Sequence, residues 1–161
     1  MSKYDWLLFF HVTGAFLFIG GIVVAWVLGI AAARRERPSE IALLMRLAGN
    51  AAAAVGAGMF LTIAFGLWLV HAAGQGYGYG DGWIIAALVM WALSGALGGR
   101  AGKLDKETRK YAEQLAADGD APSAELQARV RDPIPLALNL ASSLLAFAIL
   151  AVMIWKPGAG P

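Results

Sequence analysis

Four long apolar stretches separated by polar segments dominate the sequence. The stretches run over about 6–33, 47–73, 83–99 and 134–155, and the longest polar segment is 100–132. A helix needs roughly 20 apolar residues to cross a hydrocarbon core. The pattern therefore predicts an all-α, polytopic membrane protein. Its fold would be an antiparallel four-helix transmembrane bundle within one membrane domain, 1–161, with a cytoplasmic helical hairpin between spans 3 and 4.

The composition supports a membrane protein. Hydrophobic residues make up 59% of the chain, more than a soluble domain of this size needs. The first apolar run is too long for the hydrophobic region of a signal peptide, so it is interpreted as a retained span. The chain has no cysteine, which excludes disulfides, thiolate metal sites and cysteine nucleophiles.

The basic residues are distributed unevenly between the two ends of the predicted bundle. Of the 13 lysines and arginines, all except Lys3 and Lys156 lie in the first and third loops. Short basic loops stay in the cytoplasm. The distribution thus predicts a multi-pass protein of the bacterial inner membrane, with the N-terminus, the C-terminus and the second loop outside.

Small and weakly polar residues recur along each span at spacings that would align them on one helix face. Such faces let helices approach closely in lipid, where the hydrophobic effect contributes little to helix association. They predict a compact bundle, and Asn139 is interpreted as a helix-to-helix hydrogen-bonding residue rather than as part of a site. The small-residue positions are Gly21, Ala25, Gly29 and Ala33; Asn50, Ala54, Gly58, Thr62 and Gly66; Ser94, Gly95, Gly98 and Gly99; and Ser142 and Ser143.

The third loop contains the chain's only sizeable polar segment. One helical face carries Leu104, Thr108, Tyr111 and Leu115, and Asp105 with Arg109 would form an i,i+4 pair. After a break at "DGDAPS", Ser123 is predicted to cap a short helix, and Asp132 with Pro133 to start the fourth span. The loop would be a solvated hairpin, with a docking surface or a lipid-surface helix as alternatives.

The second loop, "GQGYGYGDG", resembles a phosphate-binding loop only superficially. Such a loop needs a preceding strand and a following helix on a soluble fold, and here it lies between two membrane spans. Tyr77, Tyr79 and Trp83 are instead predicted to form an interfacial aromatic belt.

His11 is the most informative polar residue within the spans. It lies about 7.5 Å deeper than Trp6 at the helical rise. Its face also carries Ala25 and Gly29 of the small-residue ridge, so it is predicted to point into the bundle. Ionisable residues at such depth usually face the interior and often mark a site.

His71 ends the second span at the same side of the membrane. Two imidazoles at similar depth suit haem iron or copper, so His11 and His71 are the candidate cofactor and metal ligands, with haem b first and copper as the alternative. However, His71 shares a face with Phe60 and Leu67, roughly opposite to Gly66. His71 would then sit at the headgroups and bond to water.

Two longer stretches resemble known membrane families. "FFHVTGAFLFIGG" resembles the first helix of the copper-resistance protein D type and of the membrane protoporphyrinogen oxidase type. "FGLWLVHAAGQGYGYGDGWIIAALVMWALSGALGG" is similar to the second and third spans of the uncharacterised integral-membrane family named domain of unknown function 2269. The oxidase resemblance implies a haem-associated histidine at His11, although no arginine or lysine accompanies it in its span.

Three functions remain open at this point. The first is a haem- or metal-binding membrane protein that uses His11 near the outer face, in electron transfer or cofactor handling. The second is an accessory or scaffold subunit of a larger membrane complex or homo-oligomer, with no chemistry of its own. The third is a copper or small-solute permease. The spans contain no carboxylate, which excludes the usual proton relays and carboxylate metal sites and argues against an enzyme without deciding the question. Nucleic-acid binding is not expected.

Overall fold

A computed structural model describes residues 2–72 and 78–158, and its architecture is the all-α four-span bundle expected from the sequence. Four helices are long and apolar enough to cross a membrane, and the short α4 immediately precedes the last of them. The helices are α1 (Lys3–Ala33), α2 (Pro38–Ala72), α3 (Gly82–Ala117), α4 (Ala124–Val130) and α5 (Pro133–Trp155). We call the end of the bundle with the α1–α2 connection and residues 101–132 the basic end. The opposite end, where α1 begins and α5 ends, is the terminal end.

Local sequence signals explain several helix boundaries. Ser2 caps α1 in a reciprocal capping box with Asp5. Ser123 caps α4 by accepting a hydrogen bond from the Leu126 amide, and Asp132 caps α5 ahead of Pro133, both as predicted. Beyond the end of α3, Gly119 has a positive φ of 116°, a conformation that suits glycine after a helix.

Glycines allow α1 and α2 to pack backbone against backbone. A Cβ added at Gly58 would lie 2.5 Å from the Phe18 amide nitrogen and 2.6 Å from the Gly14 carbonyl oxygen. A Cβ at Gly21 would lie 2.7 Å from the Val55 side chain. The glycines at these positions therefore set the separation of the two helices.

Serines join the other helices. Ser94 of α3 and Ser142 of α5 exchange hydrogen bonds through their hydroxyls and main-chain carbonyls. The Trp26 indole of α1 donates to the Ser143 hydroxyl of α5 at 3.0 Å. These bonds join α5 to α3, along which it lies, and connect it to α1 at Trp26. The remaining spanning helix, α2, packs against both α1 and α3.

The basic end carries a second, smaller core, which we call the helical platform. It comprises residues 38–45 of α2, 101–117 of α3 and all of α4. Ile41, Ala42, Ala112 and Leu126 are buried together at its centre. Asp120, just after α3, joins the end of that helix to the start of α2 by accepting 2.7 Å hydrogen bonds from both the amide and the hydroxyl of Ser39.

The helices extend further than the apolar stretches suggested. α2 begins at Pro38 rather than near 47, and α3 continues to Ala117 rather than ending near 99. The face of Leu104, Thr108, Tyr111 and Leu115 does belong to one helix, but that helix is a continuation of the third span. The spans were predicted to end at the first charged residues, because charged side chains are costly in lipid. A helix can continue beyond the lipid, however, and there it can carry charges.

Several side-chain predictions also change. The predicted Asp105–Arg109 pair is wrong, because Asp105 accepts a hydrogen bond from Asn139 Nδ2 at 3.2 Å and Arg109 lies 3.6 Å from Glu113. The same contact confirms Asn139 as a helix-to-helix hydrogen-bonding residue.

The small-residue ridges are confirmed only in part. Gly29 faces open space, Asn50 is exposed, and Gly14, which the ridge omitted, is buried against α2. Of the predicted belt residues, Trp83 is 6% exposed and packs inside the bundle, whereas Tyr79 is 55% exposed. Tyr77 lies outside the described residues.

Candidate functional site

A cavity of about 310 Å³ lies in the terminal half of the bundle, between α1, α2, α3 and α5. Its wall is mostly aliphatic and aromatic, and Trp83 and Trp91 of α3 contribute indole rings. The few polar side chains on the wall include His11 and Lys156. Its volume is at the lower end of the range for small-molecule sites, and a largely apolar wall with few polar groups is typical of them.

His11 is fixed on this wall by a hydrogen bond to the neighbouring helix. Its Nδ1 lies 2.7 Å from the main-chain carbonyl oxygen of Thr62. Gly66, one turn further along α2, makes the approach possible, since a Cβ there would lie 2.9 Å from Nδ1. The prediction that His11 points into the bundle is therefore confirmed.

The hydrogen bond also determines the tautomer of a neutral His11 ring. A carbonyl oxygen can only accept, so the proton is on Nδ1 and Nε2 presents a lone pair. No described residue forms a hydrogen bond to Nε2, and the His11 ring lies on the cavity wall.

His71 occupies a different environment. It lies two and a half turns beyond Thr62 on α2, which places it about 13 Å further along the axis and on the opposite side of the helix. Its side chain is exposed and is not part of the cavity wall. The structure therefore does not bring the two histidines together, in line with the alternative that placed His71 at the headgroups.

The cavity includes residues that sequence reasoning missed. Lys156, just after α5, contributes to the wall, and its ammonium lies 5.7 Å from the centre of the Trp83 ring. Lys156 was counted only for topology, because no short-range pattern connects the C-terminal end with the first span. For Gly66, the repeat every four residues along α2 predicted a helix contact, but not that its partner would be His11.

Few side chains near His11 could coordinate a metal ion. Among residues 2–72 and 78–158, no three His, Cys, Asp or Glu side chains are grouped so that they could hold a metal ion. Within this part of the chain, His11 is the only imidazole on the cavity wall. Any coordination by imidazole in the cavity would then use a single bond from His11.

The fold and cavity define an integral membrane protein with four spans and a mostly apolar cavity in the terminal half of the bundle. Residues 5–157 match the family described as predicted integral membrane protein (DUF2269), and the chain belongs to that family. Comparisons with curated proteins and with solved structures give no match. The resemblance to the copper-resistance D and protoporphyrinogen oxidase types is not supported by them.

Proposed function

We propose that this protein binds haem b in the cavity, with His11 Nε2 as the ligand to iron. The observation that carries the proposal is the 2.7 Å contact between His11 Nδ1 and the Thr62 carbonyl oxygen. A ligating histidine usually donates its other ring nitrogen to a carbonyl or carboxylate, which fixes the ring and raises its basicity. Gly66 and Thr62 supply that arrangement from α2.

The lining of the cavity suits a tetrapyrrole in its chemistry, whereas the volume of about 310 Å³ would hold only part of the macrocycle. The apolar and indole surfaces of the lining suit the faces of the macrocycle. The distribution of basic residues would place the site near the outer face of the membrane.

The single imidazole favours cofactor handling over electron transfer. A haem bound here would be held through one histidine, as in globins, while the cytochromes c use a second protein ligand. With His71 exposed on the far side of α2, this chain supplies one imidazole to the cavity. A haem held by one bond can be released to a partner more readily than one held by two.

An absorption spectrum tests the proposal. Detergent-solubilised protein produced with adequate haem should show a Soret band with high-spin features, and His11→Ala should abolish or shift it. His71→Ala is the matched control and should leave the spectrum unchanged. A preparation that stays colourless after reconstitution with haem would contradict the proposal and favour an accessory subunit. Retention of an unshifted Soret band in His11→Ala would also contradict it.

Copper binding and permeation have weaker support. Copper would require further ligands beside His11, and the described residues offer no group of three metal-binding side chains. A permease needs a path through both halves of the bundle. Here Phe18 and Ala146, which line the cavity, are 6% and 1% exposed, and the Trp26–Ser143 hydrogen bond lies further toward the basic end.

A further inference from the structure

The outward face of α3 changes from apolar to cationic along its length. Ile85, Val89 and Leu93 follow one another at every fourth residue and are exposed. None of them lines the cavity, so they face the surroundings of the bundle. Arg100 and Lys103 continue the same helix face beyond Leu93 and are exposed as well. One side of α3 thus carries an apolar surface in its membrane-crossing part, followed by two cations.

Neither cation is neutralised within the described part of the chain. In residues 2–72 and 78–158, no ion pair involves Arg100 or Lys103. Glu107 lies one turn beyond Lys103 on the same face, but it takes part in none of the ion pairs of those residues either. Both positive charges can therefore interact with an external anion.

Contacts between α3 and α5 determine how deep these two cations lie. On the terminal side of them, a Cβ added at Gly98 would lie 3.1 Å from the Ser142 hydroxyl oxygen. On the basic side of them, Asp105 accepts the hydrogen bond from Asn139. The part of α3 that contains both cations therefore lies beside residues 139–142 of α5.

At that depth α5 presents leucines to the surroundings. Leu140 is 49% exposed, and Leu136, one turn nearer the basic end, is 53% exposed. Neither of them lines the cavity. The apolar outer surface of the bundle therefore reaches at least as far toward the basic end as Arg100 does. Long cationic side chains at such a boundary keep their stems along apolar surface and extend their charged ends to the lipid headgroups.

We infer that Arg100 and Lys103 bind the headgroup of an anionic phospholipid in the leaflet at the basic end, with its acyl chains along Val89 and Leu93. The occupant is a lipid rather than an acidic segment of another protein, because the two cations adjoin apolar surfaces at the same depth. The inference uses no part of the cavity and is independent of haem binding.

Fluorescence quenching at Leu93 tests the inference. The chain has no cysteine, so Leu93→Cys can carry a single bimane label on the outward face of α3. In phosphatidylcholine vesicles, a small fraction of phosphatidylglycerol with brominated acyl chains should quench this label more than the same fraction of brominated phosphatidylcholine. Titration with each brominated lipid gives the affinity for phosphatidylglycerol relative to phosphatidylcholine.

Two double variants of the labelled chain show whether that preference comes from the two cations. Arg100→Gln/Lys103→Gln should decrease the relative affinity at least about fivefold, since one basic residue near the membrane surface already contributes about this factor. Lys106→Gln/Lys110→Gln is the matched control. It removes the same charge from exposed positions about 5–10 Å beyond Lys103 along the axis. The control should change the relative affinity less than about twofold, because salt screens charges at that distance.

Each outcome decides for or against the lipid site. A decrease confined to Arg100→Gln/Lys103→Gln would support it. Equal quenching by the two brominated lipids would overturn it and would favour an acidic protein segment as the occupant. Equal decreases in the two double variants would also overturn it, because the attraction would then come from the charge of the basic end as a whole. All four substituted side chains are exposed, so the variants should fold as the parent does.

Discussion

The helical platform and the α1–α2 interface are held together in opposite ways, although α2 belongs to both. In the platform, α2 buries Ile41 completely against Leu126 of α4. Within the membrane-crossing part of the same helix, Gly58 is the fully buried residue, and the large side chain of Phe60 is 70% exposed. The large apolar residue is inside in one region and outside in the other.

The difference reflects the solvent that each region meets. In water, burying large apolar side chains supplies the driving force, so the platform places its leucine and isoleucine at the centre. In lipid, outward-facing phenylalanine costs nothing, and association depends on close packing and on satisfied hydrogen bonds. One helix could follow both rules if its two ends lie in different solvents.

The comparison requires the platform to lie in an aqueous compartment on the side opposite to residue 78. Because the chain has no cysteine, single cysteines at Gly78 and Ala121 give unambiguous labelling. We expect membrane-impermeant maleimide to label Gly78→Cys from outside and Ala121→Cys only after the membrane is opened, as the basic loops predict. Labelling of both from the same side would break the topology, and the reverse pattern would invert the orientation.

Within the membrane, Gly58→Leu should have the largest effect on folding. The added side chain would meet main-chain atoms of Phe18 and Gly14, which cannot move aside as a flexible side chain could. We expect a loss of about 3 kcal/mol or more, and a chain that extracts poorly from the membrane. Leu69→Ala, on the cavity wall, should cost less than about 2 kcal/mol. Thermal unfolding in detergent compares the two, and equal melting of Gly58→Leu and the parent would contradict the close α1–α2 packing.

In the platform, Leu126→Ala should be costly but local. Leu126 is 0% exposed, and truncating a buried leucine costs about 2–5 kcal/mol. Hydrogen exchange should rise in residues 101–131 while the α1–α2 interface remains protected. Leu144→Ala, at a site 60% exposed on α5, is the control and should change neither region. If Leu126→Ala raised exchange equally throughout the chain, the platform and the bundle would form one cooperative unit.

The smallest effect is expected from pH. Hydrogen bonds from the Ser39 hydroxyl and amide lower the pKa of the exposed Asp120 carboxyl. A carboxyl with a lowered folded-state pKa stabilises the fold above its unfolded-state pKa, near 4, and loses this contribution as the pH falls through the folded-state value. Protection of the platform should therefore decrease on acidification toward about pH 3. Asp120→Asn, which tolerates the positive φ of 58° at this position, should decrease that dependence. An unchanged pH profile would exclude Asp120 as its source.

Much of the fold was predictable because its signals are local. The apolar stretches gave four membrane helices, Ser123 and Asp132 gave two helix starts, and Gly58, Thr62 and Gly66 marked the α2 face that meets α1. The boundaries of α2 and α3 were missed, because hydropathy reports where lipid ends and a helix can continue into water.

The candidate site was only half predictable. The depth and helical face of His11 indicated an inward side chain, which its contact with Thr62 confirms. That His71 would be exposed on the far side of α2, and that Lys156 would join the cavity wall, depended on how four separate helices are rotated and paired.

The sequence by itself thus determined the class of protein, the number of spans and the residues able to support close packing, since each depends on short stretches of chain in a given solvent. Only the tertiary structure decided which glycine accommodates the imidazole and which end of the bundle contains the cavity. Those features arise between helices that are distant in the sequence, and helix rotation about the axis leaves the hydropathy of each span unchanged. The pairing of α1 with α2 and of α5 with α3, which leaves little close contact between α1 and α5, is likewise not a property of any one span.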